Sequence, residues 1–199
     1  MKCIFCQEPC GILKSYHDDC IQKTQALLYK MEGIVNEYNK QKINQAYAKG
    51  ELRGLASSEK LYQTYIEHQI FDKTAIWVNE TVIYVESGLC ISESKNSCEM
   101  VRTGFRYEKK PVWNEKNYLI GKNVSIAMTD KSVYLLLHEK AMRYPYQKIV
   151  NLGYDEKWRY AFFDVKTSSP LPHRFLIRSV NKKEKSKLDN VCLFLNCLI

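Results

Sequence analysis

The sequence of 199 residues has no long apolar segment. No run approaches the roughly 20 apolar residues that a transmembrane helix needs, and the N-terminus lacks the apolar core of a signal peptide. There is also no G-x-S-x-G motif, no Walker A motif and no cluster among the eight glycines that could cradle a phosphate. These absences exclude a membrane bundle and predict a cytoplasmic protein that is not an enzyme.

Charged residues are common but unevenly distributed. The formal net charge is +8, and 45% hydrophobic with 26% charged residues is an ordinary globular composition. Acidic and basic residues are nearly equal in number over residues 1–71, and the excess of positive charge lies in residues 100–199. A basic half can bind the phosphates of nucleic acid or of an anionic membrane, or it can simply form a solvated lysine surface.

Eight cysteines are present, and four of them lie within the first 20 residues. Cys3 and Cys6 form a C-x2-C pair, and His17 and Cys20 form an H-x2-C pair. Two close pairs supply the four donors of tetrahedral zinc with little loop entropy, and four protein ligands leave no open position for catalysis. The spacing predicts one structural Zn²⁺ on Cys3, Cys6, His17 and Cys20. Cys10 remains an alternative to Cys3 or Cys6.

The order of elements around these ligands resembles a treble-clef zinc finger over residues 1–30. The first pair lies in a knuckle, a hairpin follows up to Lys14, and the second pair begins a helix. The other cysteines lack metal-ligand spacing, so we expect reduced thiols that pack structurally in a reducing compartment. They are Cys90, Cys98, Cys192 and Cys197.

A helical connector is predicted over residues 31–71. Apolar residues recur at three- and four-residue steps from Asp18 to Tyr47, which predicts one amphipathic helix that stops at Gly50. A second helix is expected to begin after Ser57 or Ser58, forming a helical hairpin around residues 50–54. Its apolar face would pack within the chain or bind a partner.

After residue 71 the apolar period changes from that of a helix to that of strands. The predicted strands are 75–78, 82–85, 100–107, 124–129, 133–137, 144–150, 158–165 and 174–177. This pattern predicts an antiparallel barrel or sandwich over residues 72–199, closed by a C-terminal helix that Asn181 caps together with Glu184. Leu188, Val191, Cys192, Leu195 and Leu198 form the apolar face of that helix. We expect Trp158, Tyr160 and Phe162 to line the interior of the barrel.

A family resemblance rests on the sequence of residues 118–178. A strand ends in Met128-Thr129-Asp130-Lys131, the segment Ser132-Val133-Tyr134-Leu135 follows, and then comes Met142-Arg143-Tyr144-Pro145-Tyr146-Gln147-Lys148-Ile149-Val150. This succession resembles bacterial pleckstrin-homology-like domains. The resemblance implies an α+β protein whose C-terminal antiparallel barrel serves as a binding scaffold. The loop joining the first two strands is acidic or neutral here, so lipid headgroup binding is not expected.

These observations predict a zinc-stabilised, non-enzymatic adaptor that binds a protein partner. The small Lys/Asn-rich layout is typical of a bacterial or phage accessory protein. The alternative is a binder of phosphate backbones, in nucleic acid or an anionic membrane, through the basic C-terminal half. Its densest cluster of bases is Lys182, Lys183, Lys185 and Lys187. A third hypothesis, a nuclease on a treble-clef scaffold, would need a histidine base and a carboxylate beside the finger.

Overall fold

The computed structural model describes residues 1–11, 15–70, 76, 79–103, 106–157, 159–168, 172–181 and 184–199. Within these ranges, the side chains of 95–103, 106–116 and 185 are left undescribed. The predicted strand 75–78 lies outside the described residues except for Ile76, and Trp158 lies outside them as well. These described residues have the expected α+β composition, with four helices and one antiparallel sheet of seven strands.

In the described part of the chain, three helices precede the sheet. They are α1 (Asp18–Asn39), α2 (Gln45–Ser58) and α3 (Lys60–Gln69). Asp18 and Asp19 lie in the first turn of α1, where carboxylates are favoured by the helix dipole. None of the described helices combines the length and the hydropathy that are needed to cross a bilayer.

The prediction of one helix running to Gly50 is wrong. After α1 ends, Gln41 adopts a positive φ of 58°, and the Asn44 side chain accepts a hydrogen bond from the Tyr47 amide at 2.9 Å. Asn44 is therefore the N-cap that starts α2. Gly50 and Gly54 lie inside α2, where a Cβ atom added at either position would meet no atom within 4 Å outside the backbone of the helix itself.

The sheet has the strand order β4-β3-β2-β1-β7-β6-β5, and every described pairing is antiparallel. Its strands are β1 (Val82–Thr103), β2 (Arg106–Thr129), β3 (Ser132–Leu136), β4 (Ala141–Pro145), β5 (Ile149–Asp155), β6 (Tyr160–Val165) and β7 (His173–Ser179). In the part of the chain that the structure describes, β4 and β5 are edge strands with no pairing between them, so the sheet is not closed.

The sheet is nevertheless strongly curled. The edge strands β4 and β5 follow one another in the chain, joined only by a 3-10 turn at Tyr146–Lys148. The edges of a flat seven-stranded sheet would lie roughly 29 Å apart, whereas this connection spans at most about 14 Å. The Tyr144 ring of β4 also contacts Phe175 of β7, with 5.0 Å between centroids. The segment 144–150 is thus two strands on opposite edges, and its prediction as one strand is wrong.

The β1–β2 hairpin is much longer than the sheet behind it. β1 pairs with β7 only over Leu89–Ser94, and β2 pairs with β3 only over Ser125–Met128. Beyond these pairings, residues 95–103 and 106–116 pair with each other alone, according to the described backbone. We call these residues the ribbon. The separate short strand predicted at 100–107 is wrong, because β1 and β2 both extend through this region; residues 104 and 105 lie outside the described part.

The chain ends in α4 (Lys185–Leu198), which packs against the sheet and against α1 and α2. Phe194 stacks on Tyr84 of β1 with 4.3 Å between ring centroids. The helix begins after Glu184 and not at Asn181, so the predicted cap is wrong. The predicted apolar face is otherwise confirmed, because it is buried at Leu188, Val191, Leu195 and Leu198 and half-buried at Cys192.

Tyr160 and Phe162 do not line the interior, so that prediction is wrong. The interior residues of β6 are Ala161 and Phe163, each 0% exposed. Tyr160 and Phe162 alternate with them and therefore lie on the outer face of the sheet. There the Arg174 guanidinium lies 4.4 Å from the centroid of the Phe162 ring. One hydrophobic core contains residues of all four helices and of the sheet.

Candidate metal centre

The donor atoms of the two predicted ligand pairs come together at the N-terminus. One donor each from Cys3, Cys6, His17 and Cys20 lies within 4.8 Å of the other three. Cys3 and Cys20 are buried, and Cys6 and His17 are half-buried. The four residues are positioned to hold one metal ion.

A short backbone turn over residues 3–8, which we call the knuckle, forms the first half of the site. The Gln7 amide donates to the Cys3 carbonyl at 2.9 Å, and the Cys3 amide donates to the Glu8 carbonyl at 2.8 Å. Gln7 has a positive φ of 64°, which lets the chain reverse immediately after Cys6. The reversal brings Lys2 into an isolated antiparallel bridge with Pro9. Lys14, the predicted end of the hairpin, lies outside the described residues.

The start of α1 forms the second half of the site. His17 is the N-cap residue, and Cys20 lies in the first turn, with its amide donating to the His17 carbonyl at 3.1 Å. A helical turn brings residues three positions apart to one face. The H-x2-C spacing is therefore what aims both side chains at the knuckle.

The imidazole of His17 is oriented by a second contact. Its Nδ1 lies 3.4 Å from the Cys6 Sγ and 3.9 Å from the Cys20 Sγ, so Nδ1 is the atom that faces the metal position. Its Nε2 lies 3.2 Å from the Pro9 carbonyl oxygen, which can accept the Nε2 proton. A carbonyl acceptor of this kind selects the tautomer that leaves Nδ1 free to ligate.

The two buried thiols have opposite electrostatic environments. Burial raises the pKa of Cys3, but hydrogen bonds from the backbone of Cys6, Phe5 and His17 outweigh it and bring the pKa to about 6. Burial, followed by hydrogen bonds to the sulfurs of Cys6 and Cys3, raises the pKa of Cys20 to about 12. A bound cation would offset the repulsion among thiolates and keep Cys20 ionised.

The donor set fits zinc. Three sulfurs and one imidazole nitrogen match the Cys3His class of structural zinc sites, which are four-coordinate and tetrahedral. Three thiolates, a neutral imidazole and Zn²⁺ sum to a charge of −1. Four protein donors occupy all positions of the tetrahedron, so the chemistry of this donor set is structural.

The knuckle packs against α3 through contacts that the local sequence pattern does not predict. The Phe5 ring stacks on Tyr65 with 5.3 Å between centroids and 11° between planes. Gln7 Nε2 lies 2.6 Å from His68 Nε2. An apolar residue between two ligands, Phe5, is the one feature of the sequence that indicates a packing contact here. No local pattern pairs Gln7 with His68, which is 61 positions away.

None of the other cysteines with a described side chain belongs to the group of four donors, although Cys10 packs against the apolar cluster of Cys3, Phe5 and Cys20. Cys10 is not one of the four clustered donors, and its Sγ donates to the Met1 carbonyl at 3.4 Å. Burial raises the pKa values of Cys192 and Cys197 to about 11, so both thiols are protonated at neutral pH. Cys90 is half-buried, and the side chain of Cys98 is not described.

Only one member of the predicted lysine cluster has a described side chain. Lys187 Nζ lies 2.8 Å from Glu184 Oε2, 3.8 Å from Glu86 Oε1 and 3.1 Å from the Ser87 carbonyl oxygen. The positive charge of Lys187 is therefore paired with groups of the same chain. Lys182 and Lys183 lie outside the described residues, as does the side chain of Lys185, so the anion-binding role of the cluster stays a prediction.

Comparison with known proteins identifies no family. No protein-family model matches the sequence, and no curated protein matches it. Three chains of solved structures match, including one from "The 8S snRNP Assembly Intermediate". That match has a TM-score of 0.40 and 5% identity, and it covers 59% of this chain and 84% of the other. At this level the similarity says nothing about function.

Proposed function

We propose that this chain is a zinc-stabilised, non-enzymatic adaptor that binds a protein partner through the ribbon. The metal is zinc, held by Cys3, Cys6, His17 and Cys20 as a structural ion. In this proposal the sheet and α4 form a pleckstrin-homology-like scaffold. The strand order, the short connection between the edge strands β4 and β5, and the C-terminal helix support that assignment.

The ribbon is the observation that carries the proposal. Within the described backbone, the two long strands pair only with each other here, which leaves the hydrogen-bonding groups of both outer edges without a strand partner. An isolated two-stranded ribbon is only marginally stable in water, because it has no third strand or helix to cover it. Addition of a partner's strand to such an edge satisfies these groups and is a common mode of protein recognition.

A phosphate-backbone binder is the second candidate, and the composition of the same ribbon favours it. Residues 95–116 contain six Lys or Arg residues and three Glu residues. A two-stranded ribbon can enter a nucleic-acid groove. The two candidates differ in salt dependence, because phosphate contacts lose affinity steeply with salt and apolar or backbone contacts do not.

A shortened-ribbon variant tests the proposal. Asn96 is paired with Trp113, so replacing residues 97–112 by Asn-Gly closes a tight hairpin and leaves the pairing of β1 with β7 intact. We expect the full-length chain to retain a defined protein partner from host extract at both low and high salt. The shortened variant should lose that partner while keeping its metal and its melting temperature.

Control outcomes separate the candidates. A variant with Lys122→Gln and Lys140→Gln changes charge on the sheet but leaves the ribbon intact, and it should bind the partner as well as the parent. Retention of the partner by the shortened variant would refute the ribbon as the binding surface. Binding to duplex or single-stranded nucleic acid that disappears with rising salt and with the ribbon would support the phosphate-backbone candidate instead.

A further inference from the structure

The two outer edges of the ribbon differ in the backbone groups that they offer to a further strand. From the pair Asn96–Trp113 to the pair Thr103–Arg106, β1 and β2 keep one unbroken antiparallel register. In such a register, pairs that exchange two hydrogen bonds alternate with pairs whose amides and carbonyls point away from the neighbouring strand. Assigning one pair of the ribbon therefore assigns all the others.

Pro111 makes that assignment. It lies within β2 and is paired with Cys98 of β1. Proline has no amide proton, so within a sheet it occurs where its nitrogen faces away from the neighbouring strand. The backbone groups of the Cys98–Pro111 pair therefore point outward. By alternation, the same holds for the pairs Asn96–Trp113, Met100–Lys109 and Arg102–Tyr107.

The β1 edge of the ribbon consequently has a complete row of outward groups. Four residues each contribute an amide and a carbonyl to it, namely Asn96, Cys98, Met100 and Arg102. The row begins where β7 stops, because β7 pairs with β1 only as far as Ser94. A strand added to this row would continue the sheet end to end with β7.

The β2 edge is the poorer template for a further strand. Pro111 lies in the middle of its outward row, between Lys109 and Trp113, and supplies no amide proton there. Nearer the sheet, Nε2 of His138 lies 2.9 Å from the Lys122 carbonyl oxygen, so this carbonyl already has a partner. A proline on an exposed edge is one of the devices that prevent pairing with a further strand.

We propose that the partner of the ribbon supplies an extended segment that pairs with β1 over residues 95–103, and that Pro111 keeps such segments off β2. The inference rests on the proposed function and adds which edge is used and what the partner presents. A row of alternating amides and carbonyls is matched along its length by another extended backbone, so the segment has no proline at positions that face β1. The added strand also gives the ribbon the third strand that a stable sheet needs.

A peptide probe and a matched pair of proline variants test the edge. Random peptides of about 12 residues, long enough for a typical strand, are displayed on phage and selected on the metal-loaded full chain. Peptides that also bind the shortened-ribbon variant are discarded, and one of the remaining peptides is synthesised as the probe. Met100→Pro and Lys109→Pro each remove one outward amide, from the two members of the same pair.

The two proline variants should differ in their affinity for the probe. We expect Met100→Pro to weaken binding at least about tenfold, or about 1.4 kcal/mol, because it removes a backbone hydrogen bond to the probe. Lys109→Pro should bind the probe like the parent. Met100→Ala removes the side chain but keeps the amide, so it should weaken binding less than Met100→Pro.

Amide hydrogen exchange of the parent gives a second measurement that needs no variant. Binding of the probe should slow exchange at Cys98 and Met100 and leave exchange at Lys109 unchanged. Exchange slowed on β2 instead, weaker binding by Lys109→Pro alone, or failure to recover any ribbon-dependent peptide would overturn the proposal. Ribbon-dependent binding that both proline variants leave unchanged would also overturn it, although the proposed function would survive. The proposed function itself fails only if the shortened variant retains the protein partner, so the two failures are distinguishable.

Discussion

The aromatic rings of Phe5 and Tyr65 stack with 5.3 Å between centroids, and this contact joins the metal knuckle to α3. Tyr62, one turn earlier in α3, donates its hydroxyl proton to the Ile83 carbonyl of β1 at 2.7 Å. The knuckle is therefore connected to the sheet through α3, in addition to its link through α1, which begins at the ligands His17 and Cys20. Loosening of the knuckle should disturb the packing of α3.

Replacing Phe5 by Leu should test this connection. Leu keeps an apolar side chain but removes the stacked pair, which is worth about 0.5–1.5 kcal/mol. We expect a loss of stability of at least this size, because the smaller Leu also buries less apolar surface, together with faster release of the metal to a chelator. Tyr16→Leu, at an exposed aromatic position in the same N-terminal segment, should change neither quantity. Equal release rates for the parent and Phe5→Leu would show that the stack does not support the metal site.

The ligand assignment predicts different metal contents for two serine variants. Cys20→Ser removes one of the four clustered donors and should lower the zinc content and the protease resistance of the N-terminus. Cys10→Ser removes a thiol that lies outside the cluster and should retain one zinc per chain. Elemental analysis of the purified proteins measures both. The opposite result would identify Cys10 as the ligand.

A buried ion pair should make stability depend on pH. The side chain of Glu80 is 1% exposed and contacts the Arg143 guanidinium at 2.6 Å. Burial alone would raise its pKa, but hydrogen bonds from Thr129 and Arg143 and the positive charge of Arg143 lower it below its usual value. The contribution to stability is therefore present above the unfolded-state pKa of about 4.3 and is lost as the pH falls through the lower folded-state pKa.

Glu80→Gln should accordingly destabilise the protein by about 1.5–3 kcal/mol at neutral pH, since it removes the charged acceptor. The difference from the parent should shrink in acid, where Glu80 itself becomes protonated. Urea unfolding across the acidic range measures this trend. Glu139→Gln, at an exposed position, should change the stability little at any pH. A Glu80→Gln effect that is constant with pH would contradict the pKa argument.

The C-terminal helix should be essential for the stability of the sheet. Leu195 is 0% exposed in the core, so Leu195→Ala should cost about 2–5 kcal/mol. Leu193 is half-buried, and Leu193→Ala should cost less. Leu195→Asp should unfold the C-terminal part while the knuckle keeps its metal. Thermal melting with parallel zinc analysis measures both effects. If Leu195→Asp melts at the same temperature as the parent, α4 does not stabilise the sheet.

Features that depend on short-range spacing can be predicted from the sequence alone. Two ligand pairs within 20 residues define the candidate metal site, because a knuckle and one helical turn bring their donors together whatever surrounds them. Leu188, Val191 and Leu195 define the buried face of α4, because the period of a helix leaves one stripe for the core. The division into 1–30, 31–71 and 72–199 stays a prediction.

Features that depend on competition between distant residues become visible in the folded chain and not before. Both faces of β6 carry aromatic residues, so the alternating pattern of the strand does not show which face is buried. In the folded chain Phe163 points inward and Phe162 outward. The break at Tyr146 depends on the curl of the whole sheet, since it places β4 and β5 on opposite edges. The Phe5–Tyr65 stack depends on the fold of α1, α2 and α3 between them. Local pattern specifies an element, whereas burial against the rest of the chain selects its partner and its face.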